Sequence, residues 1–145
     1  MIQRVQSVFL LLVLIALGTQ FILDYAVSAK PDEGILADQA LNIYDHPILL
    51  VLTILGCILT VAEILLFKNR KLQVNLGYGT IGSIVLLAGM SFYLYLNTKS
   101  HSINENSLSL STAWISMGIA IVFSTLAVRY IKKDDKLVKS MDRLR

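Results

Sequence analysis

The sequence predicts an all-α integral membrane protein, a four-helix bundle with both termini in the cytoplasm, on three observations. Its 145 residues are 55% hydrophobic and only 16% charged, more apolar than a water-covered domain of this length. Four apolar stretches each approach the ~20 residues that a bilayer demands. Lys and Arg collect on one side of those stretches. Four spans are too few to close a barrel, and backbone groups in hydrocarbon must pair within their own segment, so each stretch is expected to be a helix.

The first span, about residues 5–25, is VQSVFLLLVLIALGTQFILDY. Val27 and Ala29 beyond it offer a signal-peptidase spacing. The apolar run is ~19 residues, against the 7–15 of a signal segment, and only Arg4 precedes it, so an uncleaved span is expected. An acidic connection follows. In it Leu36, Ala40 and Ile43 fall at i, i+4, i+7, the pattern of a short helix lying on the membrane surface.

The second span, about 47–67, opens on Pro47, whose missing N–H is tolerated in a first helical turn. The basic turn KNRK, Lys68 to Lys71, joins it to the third span, about 72–96, as an antiparallel hairpin. The Ser/Asn-rich stretch NTKSHSINENSLSLS reads as a mobile loop. The fourth span, about 113–131, leads into a basic tail, 132–145. The whole chain forms one membrane domain.

Orientation follows from the bases. Arg4, Lys68, Arg70, Lys71, Arg129 and the six bases of the tail lie on one side, and Lys30 and Lys99 on the other. The side with more bases is expected to be cytoplasmic. Tyr25, Tyr44, Tyr93, Tyr95, Trp114 and Tyr130 lie near span ends, where an aromatic belt is expected.

Three segments carry a family resemblance: Met1 to Gln6 (MIQRVQ), Phe67 to Gln73 (FKNRKLQ) and Lys133 to Arg145 (KDDKLVKSMDRLR), with Met141 at a variable place. In these the chain resembles domain-of-unknown-function family 4293, small four-span membrane proteins found chiefly in Bacteroidota. The resemblance implies a bacterial inner-membrane, multi-pass location and carries no reaction.

Within the spans, Glu63 is the one acid well inside. Thr53, Gly56, Thr60 and Glu63 share one face of the second helix. An ionisable group costs ~2.5–3.5 kcal/mol at the bilayer centre, so this face is expected to turn toward protein or water. Glu63 precedes Lys68 by about 7.5 Å of helical rise, and Arg129 lies at similar depth. An ion pair of Glu63 with Arg129 or Arg70 is therefore expected, with a proton- or cation-handling carboxylate as the alternative. Small residues recur on the third span (Asn75, Gly79, Gly82, Ser83, Gly89) and the fourth (Ala113, Ser116, Ala120, Ser124, Ala127), which suits close helix packing without a hydrophobic drive.

Cys57 reads as a small buried hydrophobe. His46 and His101 come from separate loops without ligand-spaced neighbours. No catalytic set, metal site or cofactor is predicted, and no G-x-S-x-G, H-E-x-x-H or phosphate loop occurs.

In the tail, Leu137, Met141 and Leu144 recur at i, i+4, i+7, opposite a basic stripe of Lys132, Lys136, Lys139 and Arg143. This predicts an amphipathic helix that touches lipid, a cytoplasmic partner or the KNRK turn. Three interrupting acids and the lack of a stacking aromatic speak against nucleic acid. The expected function is that of a non-catalytic accessory or scaffold subunit packed with membrane-protein partners and lipid. The alternative is a small transporter or channel component using the polar face around Glu63.

Overall fold

The computed structural model describes residues 2–28, 38–67, 69–101 and 108–142. Four helices form the body: α1 (Ile2–Gly18), α2 (Pro47–Leu65), α3 (Arg70–His101) and α4 (Ala113–Asp142). Three stretches, Pro47–Leu65, Arg70–Ser100 and Ala113–Val138, are long and apolar enough to cross a membrane, and Val5–Phe21 is a shorter apolar helix. The helices pack in a ring, most extensively α2 on α3 and α1 on α4, then α3 on α4, then α1 on α2.

The bundle has apolar flanks and a partly polar interior. Val8, Leu11 and Ile15 of α1, Val51 and Ile58 of α2, and Val85 and Leu86 of α3 are exposed, while Gln6, Thr53, Thr60, Glu63, Gln73, Thr80, Ser83 and Ser124 are buried. Lipid favours that arrangement, because polar groups gain nothing by facing hydrocarbon. Most of the buried hydroxyls donate back along their own helix: Thr53 to the Leu49 carbonyl at 2.9 Å, Thr60 to that of Gly56 at 2.8 Å, and Ser83 to that of Thr80 at 2.8 Å.

Local signals set the helix ends. Asn42 and Asp45 cap each other across a 3-10 turn, Ile43–Asp45, with Tyr44 N–H donating to Asn42 Oδ1 at 2.8 Å and Asn42 N–H to Asp45 Oδ2 at 2.6 Å. His46 then caps α2, its Nδ1 accepting from Ile48 N–H at 3.3 Å. Pro47 occupies the first turn, where no N–H is needed. Asn69 opens α3 by accepting from Leu72 N–H at 3.3 Å.

The described parts of the two longer connections hold structure that the sequence did not suggest. Strands β1 (Ala26–Ser28), β2 (Ala40–Leu41) and β3 (Leu108–Leu110) form an antiparallel sheet in the order β2-β1-β3. Ala26 faces Leu41 on one side and Leu110 on the other. The expected surface helix is therefore corrected: Ala40 lies in β2 and Ile43 in the 3-10 turn, while Leu36 is outside the described residues. Gln39 enters β2 at φ 64, a left-handed turn that breaks any helical run. The expected mobile loop is corrected too. Helix α3 continues through Asn97–His101, and Leu108–Leu110 pair with β1; residues 102–107 are outside the described set.

Beneath the sheet lies an apolar core that includes Tyr25, Leu41, Ile43, Leu49, Leu87, Leu94 and Met117. Tyr25 meets Trp114 edge to face at 6.5 Å, and Trp114 Nε1 donates to the Tyr25 carbonyl at 2.8 Å. Tyr25 and Tyr95 are thus core residues rather than belt residues, whereas Tyr44 and Tyr93 are exposed. A second core, Val13, Ala16, Leu17, Ile84 and Ala120, fills the middle of the bundle, with Cys57 partly buried against it.

Candidate functional site

The polar face of α2 is turned into the bundle. Thr53, Gly56, Thr60 and Glu63 are all buried. The burial follows from what surrounds each: Gly56 lies against Ser83 and Leu17, and Glu63 against Gly77 of α3. A methyl group at Gly77 would sit 2.5 Å from Val128 Cγ2 and 3.3 Å from Glu63 Oε2. A glycine is therefore required where α2, α3 and α4 meet.

Glu63 is fully buried, and its partners are hydroxyl and amide groups. Thr80 Oγ1 lies 2.5 Å from Glu63 Oε1, and Gln73 Nε2 donates to the Glu63 backbone carbonyl at 3.0 Å. Among the described residues, Glu63 Oε2 has no hydrogen-bond partner. The expected ion pair is corrected. Arg129 is exposed on α4, and among the described residues no base lies within ion-pair distance of Glu63. Helical phase explains this: Ala127 and Val128 occupy the inward positions, so Arg129 turns out toward solvent or headgroups.

Arg70 has a different partner. Its guanidinium binds the Asp134 carboxylate at 3.0 Å and donates to the Asp134 backbone carbonyl at 2.9 Å. Nearby, Lys132 Nζ meets the Tyr78 hydroxyl and lies 4.8 Å from the centre of its ring. So the start of α3 holds the start of the tail. The tail continues α4 as one helix to Asp142. Lys132 and Lys136 are exposed, and Leu137 is 43% exposed. The side chains of Lys139 and Met141, and residues Arg143 and Leu144 as a whole, lie outside the described set.

A family profile described as Domain of unknown function (DUF4293) matches residues 2–144. The chain belongs to that family. No curated protein and no solved structure matches it significantly. The three segments that carried the resemblance meet at one end of the bundle. Gln6 Nε2 of the first donates to the Tyr130 carbonyl at 3.3 Å, just before the third. Arg70 and Gln73 of the second hold Asp134 and Glu63. Described residues of the DUF4293 segments thus converge at the end of the bundle that holds Glu63.

The small-residue stripe on α4 faces inward: Ala113, Ser116, Ala120, Ser124 and Ala127 are buried. The stripe on α3 is corrected. Asn75, Gly79, Gly82 and Gly89 are exposed, and only Ser83 of that set is buried. The inward face carries Gln73, Gly77, Thr80, Ser83, Leu87 and Ser91 instead. Both faces have small residues at helical spacing, so periodicity alone did not separate them. Gln73, Gly77, Thr80 and Asp134 are the site residues that sequence reasoning missed. The available signal was the polar pair Gln73 and Thr80 seven residues apart, in phase with Gly77.

At the sheet-capped end, Gln20 is buried and donates to the Ala113 carbonyl at 3.3 Å and to Ser116 Oγ. His46 serves as a helix cap there. Among the described residues no group of three potential metal ligands occurs.

Proposed function

We propose that this membrane protein is a non-catalytic accessory or scaffold subunit of the bacterial inner membrane, with both termini and the α2–α3 turn in the cytoplasm. The observation that carries the reading is the latch between Arg70 and Asp134. It ties a helix that continues beyond the apolar span to the body of the bundle. A tail needed only to orient the chain requires charge, not a fixed direction. A tail held at a fixed angle, with Arg129, Lys132, Lys133 and Lys136 exposed at i, i+3, i+4, i+7, suits presentation of a surface to lipid headgroups or an acidic partner. Each base close to an anionic leaflet contributes about 1 kcal/mol.

Two double variants test the reading. Lys136→Gln with Lys139→Gln reduces charge, and Leu137→Ser with Met141→Ser keeps every charge and removes the apolar stripe. After cross-linking in native membranes, a scaffold that docks a protein through the apolar stripe loses its cross-linked partner in the serine pair and keeps it in the glutamine pair. Equal retention by both leaves the tail as a lipid anchor and removes the docking role.

A second reading, a small transporter or channel component, is favoured by one observation: Glu63 lies inside the bundle with no counter-charge among the described residues. It requires an ion flux in proteoliposomes that Glu63→Gln abolishes.

A further inference from the structure

We propose that Glu63 is a proton-binding site at the junction of α2, α3 and α4, whose occupancy holds that junction closed. The inference is independent of the accessory reading, since it concerns the bundle interior and holds with or without a docked partner.

The hydrogen-bond count assigns the ligand. Thr80 Oγ1 lies 2.5 Å from Glu63 Oε1 and 3.2 Å from the Leu76 carbonyl. A hydroxyl has one hydrogen to give. When that hydrogen goes to Leu76, as it commonly does for a threonine inside a helix, the short contact with Glu63 needs a hydrogen from the carboxylic acid itself. Among the described residues, ionised Glu63 would have at most one donor for two oxygens, and Oε2 has none. A carboxylate accepts up to about four hydrogen bonds, and leaving a buried one this bare is costly.

Among the described residues, charges on the surrounding elements do not compensate. On α3, Arg70 is bound to Asp134, Lys71 and Lys99 are exposed, and Tyr78 receives Lys132; Tyr93 is exposed and Tyr95 belongs to the core under the sheet. On α4, Arg129, Lys133 and Lys136 are exposed, Tyr130 stacks on Phe9, and Asp134 and Asp135 are acids. On α2 the one other titratable side chain is Cys57, and α1 has none from Val5 to Gly18. A calcium-like or magnesium-like ion needs six or more oxygens, whereas Glu63 is met by one hydroxyl. A proton is the ligand that fits.

The same geometry gives the site a direction. Gln73, in the first turn of α3, holds the Glu63 carbonyl, and Gln6 donates to the Tyr130 carbonyl, so buried polar side chains lie at the end where α2 turns into α3. Toward the sheet, Val13, Leu17, Ile84 and Ala120 fill the interior, and Leu17 and Ser83 press on Gly56. Proton exchange therefore runs through the end that carries the family segments. Loss of the proton leaves a bare charge against Gly77 and Val128, and the three helices must part to admit water.

Infrared spectroscopy of the full chain in detergent tests this. The wild type is expected to show a protonated-carboxyl band at neutral pH that Glu63→Gln removes. As pH rises, the band gives way to carboxylate absorption, and the melting temperature falls with the extra slope of one proton released on unfolding; Glu63→Gln lacks that extra slope. Thr80→Val keeps Glu63 and shifts the band by removing its hydrogen-bond partner, which retains the test should the glutamine variant fold poorly. A fully ionised Glu63 at neutral pH, identical slopes in wild type and Glu63→Gln, or an unmoved band in Thr80→Val would each overturn the proposal.

Discussion

Arg70, at the first position of α3, grips Asp134 of α4 twice, by its carboxylate at 3.0 Å and by its backbone carbonyl at 2.9 Å. The two residues are 64 positions apart in sequence. Both side chains are mostly shielded, 23% and 14% exposed, so the contact is less screened than a surface pair. The second bond matters because a carbonyl held by a guanidinium fixes the helix backbone and not only a side chain.

Removing the grip is expected to loosen the tail. Asp134→Asn retains the carbonyl contact and is expected to cost about 1 kcal/mol. Arg70→Ala loses both bonds and is expected to cost more, about 1–2 kcal/mol. Hydrogen exchange in detergent measures the effect: amides of 134–142 should exchange faster in Arg70→Ala while those of Leu49–Thr60 keep wild-type protection. Unchanged exchange in the tail would mean that the helix needs no latch.

Gly77 and Gly82 separate close packing from mere helix propensity. A Cβ at Gly77 meets Val128 at 2.5 Å, whereas one at Gly82 meets nothing within 4 Å. Gly77→Ala is expected to destabilise by about 1–3 kcal/mol through overpacking. Gly82→Ala should be neutral or slightly stabilising, since alanine is the better helix former. Thermal unfolding of the two variants side by side in one detergent checks the contrast, and equal melting temperatures would refute the close approach.

The proposed orientation has a direct readout. Single cysteines placed at Asn69 and Ser140, in a background with Cys57→Ala, should resist an impermeant thiol reagent in intact spheroplasts. A cysteine at Ser102 should react readily. Ready reaction at Ser140 would invert the topology.

Asp45 gives a pH dependence with a definite sign. Burial, reinforced by the charges of Asp38 and Asp24, pushes its carboxyl above the ordinary value of 3.8, and the bond from Asn42 N–H only partly opposes this. The folded state therefore holds that proton more tightly than the unfolded chain. Its contribution is fully present below about pH 4 and is lost as pH rises through the raised folded value. Asp45→Asn is expected to flatten that portion of the stability curve, as read by melting temperature across the acid range. A curve of unchanged slope would show that Asp45 does not generate it.

The inward face of α2 was legible because a lone acid with Thr53, Gly56 and Thr60 in helical phase leaves one choice of side in hydrocarbon. The inward face of α4 was legible for a similar reason, with Ala and Ser in a single row. Helix α3 offered two rows of small residues, and choosing between them needed the position of Glu63. The Glu63 partner was misjudged because depth along a helix says nothing about rotation around it. Arg129 has the depth of Glu63, yet neighbouring Ala127 and Val128 take the inward positions.

Sequence by itself determined the four helices, the apolar flanks, the polar row on α2 and the membership of a family, since these rest on composition, on the 3.6-residue period and on local motifs. Tertiary structure alone decided the sheet, the latch and the Glu63 contacts. Strand β1 is three residues long and gains its partners from β2 in its own connection and from β3 in the connection between α3 and α4. Arg70 could have met any nearby acid. A helix of known face still has free rotation and translation against its neighbours until side chains interlock, and that interlocking brought Thr80 to Glu63 and Arg70 to Asp134.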